Sequence, residues 1–539
     1  MRSRFLTSLA AFVVVGVALT SCAASPDTSS SSDEILVGTT DKVTALDPAG
    51  SWDRGSATLH AQVFSWLMTS EPGSTEAVPE LADTAEFTSP TEFTVVLRDG
   101  LTFANGNELT ASDVKFSFDR QVAIANENGP SSLLSDLVSI ETPDDTTIVF
   151  TLASENNTLW PQILSSPAGV IVDEDVFSAD SITSDDDIVA GNAFEGPYAI
   201  SNYSINSIVE LTKNDVYDGL LGAAQNESVI VKYYADESNL KLDIQQGAID
   251  VAYRTLSATD TESLGDDDSL EVHTGPGSEM RYVAFNLETM PFGSATPEAD
   301  ETKALAVRTA AAHLIDREIL ASQVYKGTYA PVYSIVPSGL PGATSPYLDL
   351  YGDGDGGPSI ENAEETLAAA GITEPVQLNL QYNPDHYGAS TGDEYALIKS
   401  QLEESGLFAV NLQSTEWTQY VKQKKTDYPA YQQGWFSDYP DSDNYLHLLE
   451  GTDEVPSNLG AAANDPAFTA LVLQERATEP GDARDAIVAD AQQIAAERIV
   501  TIPLLEGTES AIANVRIAGV DDTLDATGRF RFGLLSISE

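Results

Sequence analysis

Residues 434–446 read GWFSDYPDSDNYL and set one carboxylate, Asp438, among three aromatic residues, Trp435, Phe436 and Tyr439. A carboxylate walled by rings and partly withdrawn from water attracts a cation, most simply an ammonium group. Pro440 fixes φ, and Asp441, Ser442, Asp443 and Asn444 are turn formers or helix caps. The acid therefore falls in a loop, ahead of a short amphipathic run through Tyr445, Leu446, Leu448 and Leu449. A second reading makes Asp438 the cap of a turn laid over core aromatics. A basic counterpart stands upstream, where Lys422, Lys424 and Lys425 follow Glu416-Trp417. They offer a partner for an anionic group or, just as simply, a solvated helix face.

Other chemistries find little support. Cys22 is the single cysteine, so an internal disulfide and a thiolate metal site are both excluded. His60, His273, His313, His386 and His447 include no pair at zinc-ligand spacing, and no metal or cofactor is expected. Asp353-x-Asp355-Gly opens like a calcium loop but lacks the later acid in register, which leaves an acidic turn. Arg308, His313, Asp316 and Arg317 look catalytic, yet an ion-paired, packed helix accounts for them and no nucleophile accompanies them. With 84 acidic residues, carboxylate pairs arise by chance and no motif selects one. The chain is read as a binding protein and not an enzyme.

The elements that must position these residues alternate between strand and helix patterns. Strands are expected over 35–39, 93–103 as a hairpin turning at Asp99-Gly100, 139–152, 229–234, 281–287, 376–382, 410–415 and 502–505. Helices are expected over 109–120 with Thr110 or Ser112 as cap, 304–320, 361–371, 395–405 and 483–498. A chain of 539 residues is too long for one core and implies two to four domains.

These segments carry an ordered series of motifs: VGT then LDP at 37–48, PELA at 79–82, LRDGLTF at 97–103, TASDVKFSF at 110–118, GPY at 196–198, QQGAIDVA at 245–252 and VRTAAAHLIDRE at 307–318. With GWFSDYPDSDN they resemble, from about residue 34 to 515, the large solute-binding proteins of ABC importers, family 5, the peptide/nickel-binding type. The resemblance implies an α/β, two-lobed periplasmic-binding-protein-like fold of type II (the large cluster C form), with a small extra domain and a hinge. It divides the chain into 33–70, 191–287 and 507–539 for domain I, 71–190 for the small domain II, and 288–506 for domain III, the second lobe.

In the family's peptide binders the Asp of the DY pair receives the peptide α-ammonium, which here is Asp438. The loop before the first helix touches ligand, pointing to Arg54, Gly55 and Ser56, and a base near the EW pair meets the peptide carboxylate, pointing to Lys424. Trp417, Trp435, Tyr439, His386 and Tyr387 are candidate walls, each of which also suits a core. There is one departure. Dipeptide binders carry an Arg two residues before Tyr-Asn-Pro, and here Leu380 precedes Tyr382-Asn383-Pro384. That favours an oligopeptide, or a cationic solute without a carboxylate, over a clamped dipeptide. The family also includes binders of nickel complexes and oligosaccharides, and a signalling lipoprotein on the same fold is a further alternative.

At the N-terminus, Arg2 and Arg4 precede an apolar run over 5–19, shorter than a membrane span and suited to a signal peptide over 1–21. Leu19-Thr20-Ser21-Cys22 resembles a lipoprotein lipobox, which implies a lipidated Cys22 and a Ser-rich tether over 22–32. The expected place is the outer face of the cytoplasmic membrane, with an ABC permease and its ATPase subunits as partners. Finally, 26 basic against 84 acidic residues give −58, which excludes nucleic acid and favours a soluble monomer.

Overall fold

The computed structural model describes residues 34–538 apart from Thr255, Asp385, Ala389, Lys425 and residues 453–456. The signal peptide, Cys22, the tether and Lys425 thus lie outside the described residues.

Among the described residues one large mixed sheet runs through the molecule. Its strands in chain order are β1 Glu34–Thr39, β2 Tyr198–Ser204, β3 Ile208–Lys213, β4 Ser228–Tyr233, β5 Val251–Tyr253, β6 Leu270–Phe285, β7 Tyr329–Pro331, β8 Val376–Tyr382, β9 Phe408–Ser414, β10 Ala430–Trp435 and β11 Thr501–Asn514. The spatial order is β9-β8-β10-β6-β11-β5-β1-β4-β3-β2, with β7 also on β11. β6 and β11 are the long strands, and they serve two lobes. Their outer halves, 270–276 and 508–514, pair with each other beside β5, whereas 280–284 and 501–506 pair beside β10. The register slips between Pro276 and Met280. At that slip a Cβ on Gly277 would lie 2.2 Å from the Gly507 carbonyl oxygen, so the two backbones pass where only glycine fits.

Each lobe has its own core. Ile35, Val37, Leu59, Val63, Phe64, Phe530 and Phe532 pack in the first. Met280, Phe285, Leu314, Leu378, Tyr395 and Ile502 pack in the second. A smaller domain on the first lobe pairs Ala82–Ser89, Glu92–Leu97, Thr147–Leu152 and Leu137–Glu141 in one sheet under the helix Ala111–Ile124. That helix opens on a capping box between Thr110 and Asp113.

Three expectations are corrected. The hairpin does not turn at Asp99-Gly100: Glu92–Leu97 pairs back to Ala82–Ser89 through Pro90-Thr91, and Thr102 makes only a single bridge to Glu108. Thr147–Leu152 occupies the other edge of Glu92–Leu97, so no edge is left for residues 101–103. The helix expected over 304–320 is broken, with Glu301–Leu314 followed by a fresh turn, Arg317–Ile319. Ile315 is extended and the Asp316 carboxylate accepts from the Ile319 N–H at 2.9 Å, restarting the helix. Among the described residues its arginines make no ion pair either: Arg308 donates to the Arg498 carbonyl and Arg317 to the Pro503 carbonyl.

Candidate functional site

The registers show where the two lobes converge. β1 runs parallel to β4 and β5, and β5 ends with Tyr253 opposite Ala511 of β11. β8 runs parallel to β9 and β10, and β10 ends with Trp435 opposite Met280 of β6. The carboxyl ends of both parallel sets therefore point at the crossover around residues 276–280 and 506–509. Open α/β sheets bind ligands at such ends. The segments leaving them carry Arg254 on the first lobe, and His386, Asp438 and, at the start of the helix Trp417–Gln423, Trp417 on the second.

Asp438 stands three residues past β10. Its Oδ1 accepts from the Trp52 indole N–H at 2.9 Å, and its Oδ2 accepts from the Asn444 side-chain amide at 3.3 Å. Burial pushes its carboxyl up to about 6, and the two hydrogen bonds only moderate that rise. Among the described residues no cation pairs with it within ion-pair distance. The turn itself is capped by other groups: Asp441 accepts from the Asp443 N–H at 2.9 Å, and Asn444 accepts from the Asp438 N–H at 3.3 Å. Behind the loop, Arg484 donates to both oxygens of Asp441 at 2.9 and 2.7 Å and to Glu475 at 2.8 Å. Arg476 ties Asp443 at 2.6 Å to Glu450. These buried pairs fix the backbone that carries Asp438.

A cavity of about 570 Å³ opens beside Asp438 between the second lobe and the small domain. Trp435, Tyr439, Trp52 and Trp160 line it. The Trp435 indole donates to Asn444 at 2.8 Å, and the Tyr439 hydroxyl to Asp443 at 2.8 Å. Tyr439 also packs with the small domain's core.

A second group forms apart from this cavity. His386 stacks on Trp417 at 3.6 Å, with ring planes 5° apart, and Lys424 lies 5.9 Å from the Trp417 ring centre. Lys424 donates to the Gln433 side chain at 2.8 Å. Tyr387 sits edge-on to Trp417 and stacks on Phe436, which links this group to the Asp438 loop. Leu380 is buried in the second lobe's core at 1% exposure, so that position presents nothing to a ligand.

The remaining candidates begin the helix Arg54–Val63 on the first lobe. Arg54 pairs with Glu509 of β11, which also accepts from the Tyr253 hydroxyl at 3.0 Å. Burial opposes the charge on Glu509, yet Arg54 and Arg254 hold its carboxyl below the usual range. Gly55 is needed because a Cβ there would lie 2.1 Å from the Lys42 carbonyl oxygen. Ser56 donates its N–H and its hydroxyl to the capping Asp53 carboxylate at 2.9 and 2.8 Å. These contacts belong to the fold.

The residue that sequence reasoning missed is Trp52. The signal lay in the same loop: a large aromatic among small and polar residues, two positions before Arg54. Its loop is anchored at Asp47, which takes both arms of Arg120 at 2.9 and 2.7 Å and the Thr183 N–H at 2.7 Å.

Residues 76–457 match the family described as bacterial extracellular solute-binding proteins, family 5. The chain is 23% identical over 481 residues to the di/tripeptide-binding protein 3 of Pseudomonas aeruginosa, covering 85% of each. It is 24% identical over 482 residues to the heme-binding protein A of Haemophilus influenzae, covering 85% of this chain and 84% of that one. The structure of HbpA2 from Haemophilus parasuis superposes with a TM-score of 0.78 at 21% identity, over 94% of this chain and all of that one. The chain belongs to family 5 of the bacterial extracellular solute-binding proteins, with their two-lobed fold.

Proposed function

We propose that this protein is the peptide-capturing subunit of an ABC importer, held outside the membrane by lipid on Cys22. The observation that carries the reading is Asp438: a carboxylate at a cleft between lobes, hydrogen-bonded among the described residues by neutral donors alone and bordering a cavity of about 570 Å³. An α-ammonium supplies the missing cation. Trp435, Tyr439 and Trp52 wall the amino end, while His386, Trp417 and Lys424 flank the next stretch of the cleft, with Arg54, Gly55 and Ser56 shaping the first-lobe side. The di/tripeptide-binding relative supports a peptide as the solute. Closure of the lobes over ligand is a population shift, and the closed form is what a permease with its ATPase subunits would receive. No covalent step is required, and the protein acts as a monomer.

The test is thermal unfolding of residues 23–539 with defined peptides, free or N-acetylated, beside Asp438→Asn. A ligand at ~100 times its dissociation constant adds about 2.7 kcal/mol. Stabilisation by free-amine peptides alone, lost in Asp438→Asn, is the expected result; no shift with any peptide overturns the peptide reading. A cationic solute without a carboxylate is the second reading, favoured by the burial of Leu380 and the engagement of Lys424 with Gln433. It predicts stabilisation by C-terminally amidated peptides equal to that by free acids.

A further inference from the structure

We propose that the cavity beyond Asp438 receives the ligand's first side chain and selects a long cationic one, lysine or arginine. This rests on the reading of Asp438 as the partner of the α-ammonium, because that contact sets which side chain faces the cavity.

The cavity is far larger than a methyl group requires, at about 570 Å³. Its walls divide by chemistry. Leu133 and Ile163 of the small domain and Leu473 of the second lobe give apolar surface, and Leu473 is 56% exposed although large and apolar. Asp136 and Glu155 add two carboxylates from the small domain. Asp136 is held in place by the Ser154 N–H at 3.0 Å and the Asn157 amide at 2.7 Å, both neutral donors. Glu155 is exposed, and among the described residues no cation lies within ion-pair distance of either acid. The lining bases are already committed, Arg476 to Asp443 and Glu450 and the His447 imidazole to Glu450 at 3.1 Å.

Lysine and arginine lay an aliphatic stem along apolar surface and keep a charged head at the polar end. A side chain of that kind matches both halves of the cavity at once. A neutral chain of equal length covers the leucines but leaves the acids without a partner, and an acidic one meets like charge. The small domain thereby becomes the element that reads the first residue, while the second lobe holds the backbone amine.

The experiment is calorimetric titration of residues 23–539 with pentapeptides X-Ala-Ala-Ala-Ala, where X is lysine, norleucine or glutamate. The expected order is lysine over norleucine by about fivefold or more, with glutamate weakest. Glu155→Gln, at an exposed turn where folding is not at stake, should shrink the lysine advantage, and Glu155→Lys should invert the order of lysine and glutamate. Equal affinity for lysine and norleucine peptides, or a lysine advantage untouched by Glu155→Lys, overturns the pocket assignment and leaves the peptide reading standing. Failure of all three pentapeptides to bind overturns both together.

Discussion

The indole N–H of Trp52 on the first lobe donates to Oδ1 of Asp438 on the second at 2.9 Å, shorter than the 3.3 Å bond that the Asn444 amide makes to Oδ2. A neutral donor steadies a half-buried carboxylate without neutralising it, so the site keeps its demand for a cation. Trp52 is 40% exposed, which leaves the indole free to swing aside.

Trp52→Phe removes that donor and keeps the ring. Because the hydrogen bond favours the ionised carboxylate, its loss should raise the Asp438 carboxyl above about 6 and move the midpoint of pH-dependent ligand binding upward. Calorimetric titrations at a series of pH values check this; an unchanged midpoint would show that the contact has no energetic weight.

The pH dependence of the wild type has a definite sign. Burial raises the Asp438 carboxyl in the folded chain to about 6, above its unfolded value, so the folded state holds the proton more tightly. This group's contribution to stability is therefore greatest below about pH 4 and declines as pH rises toward 6. Ligand capture runs the other way, because an ammonium needs the ionised carboxylate. Affinity for a free-amine peptide should fall about tenfold per pH unit below the midpoint, and Asp438→Asn should flatten the profile.

Arg484 is buried between Asp441 and Glu475. Arg484→Met leaves two buried carboxyls without their cation, a loss of about 3–5 kcal/mol. Denaturant unfolding should register it, and ligand affinity should fall as well, because Asp441 caps the turn that aims Asp438. Full stability in the variant would remove these pairs from the account of how the site is held.

Gly277→Ala forces a methyl against the Gly507 carbonyl at the lobe crossover. It should lower stability by at least about 1 kcal/mol. Gly339→Ala is the control, since a Cβ there meets nothing nearer than 3.8 Å. Equal melting temperatures in the two variants would argue against a close-packed hinge.

A formal charge of −58 makes the folded chain repel itself at low ionic strength. Shortening the screening length from about 10 Å at 0.1 M salt to about 3 Å at 1 M should raise the melting temperature. A flat response in sodium chloride would mean that the carboxylates are already neutralised locally.

Much of this arrangement was legible in the sequence. β8, expected over 376–382, has those bounds, because an alternating apolar run flanked by turn formers leaves a strand little freedom. The local surroundings of Asp438 were legible for the same reason: Trp435, Tyr439 and the turn formers after it are close in sequence. The false hairpin failed because Asp99-Gly100 is a sound local turn signal, whereas strand neighbours are settled by competition for edges far along the chain. Trp52 escaped because its partner lies 386 positions away and nothing in its own surroundings names that partner. Lys424 shows the opposite limit, since a lysine cluster stands out in an acidic chain but composition does not say which acceptor each ammonium meets.

The first lobe opens with Ile35 and Val37, yet its core is completed by Ala511, Ala513, Phe530 and Phe532. Phe530 stacks on Tyr253 at 4.2 Å, sealing the end of β5. The lobe that begins to emerge first during synthesis is therefore finished last, after the second lobe has been threaded in full between its parts. Contacts so distant in sequence make folding slow and leave it waiting for the final residues. Until residues 511–532 are free to pack, Ile35 and Val37 lack the partners that complete their core, and the first lobe stays open to proteases while the second can already close on its own.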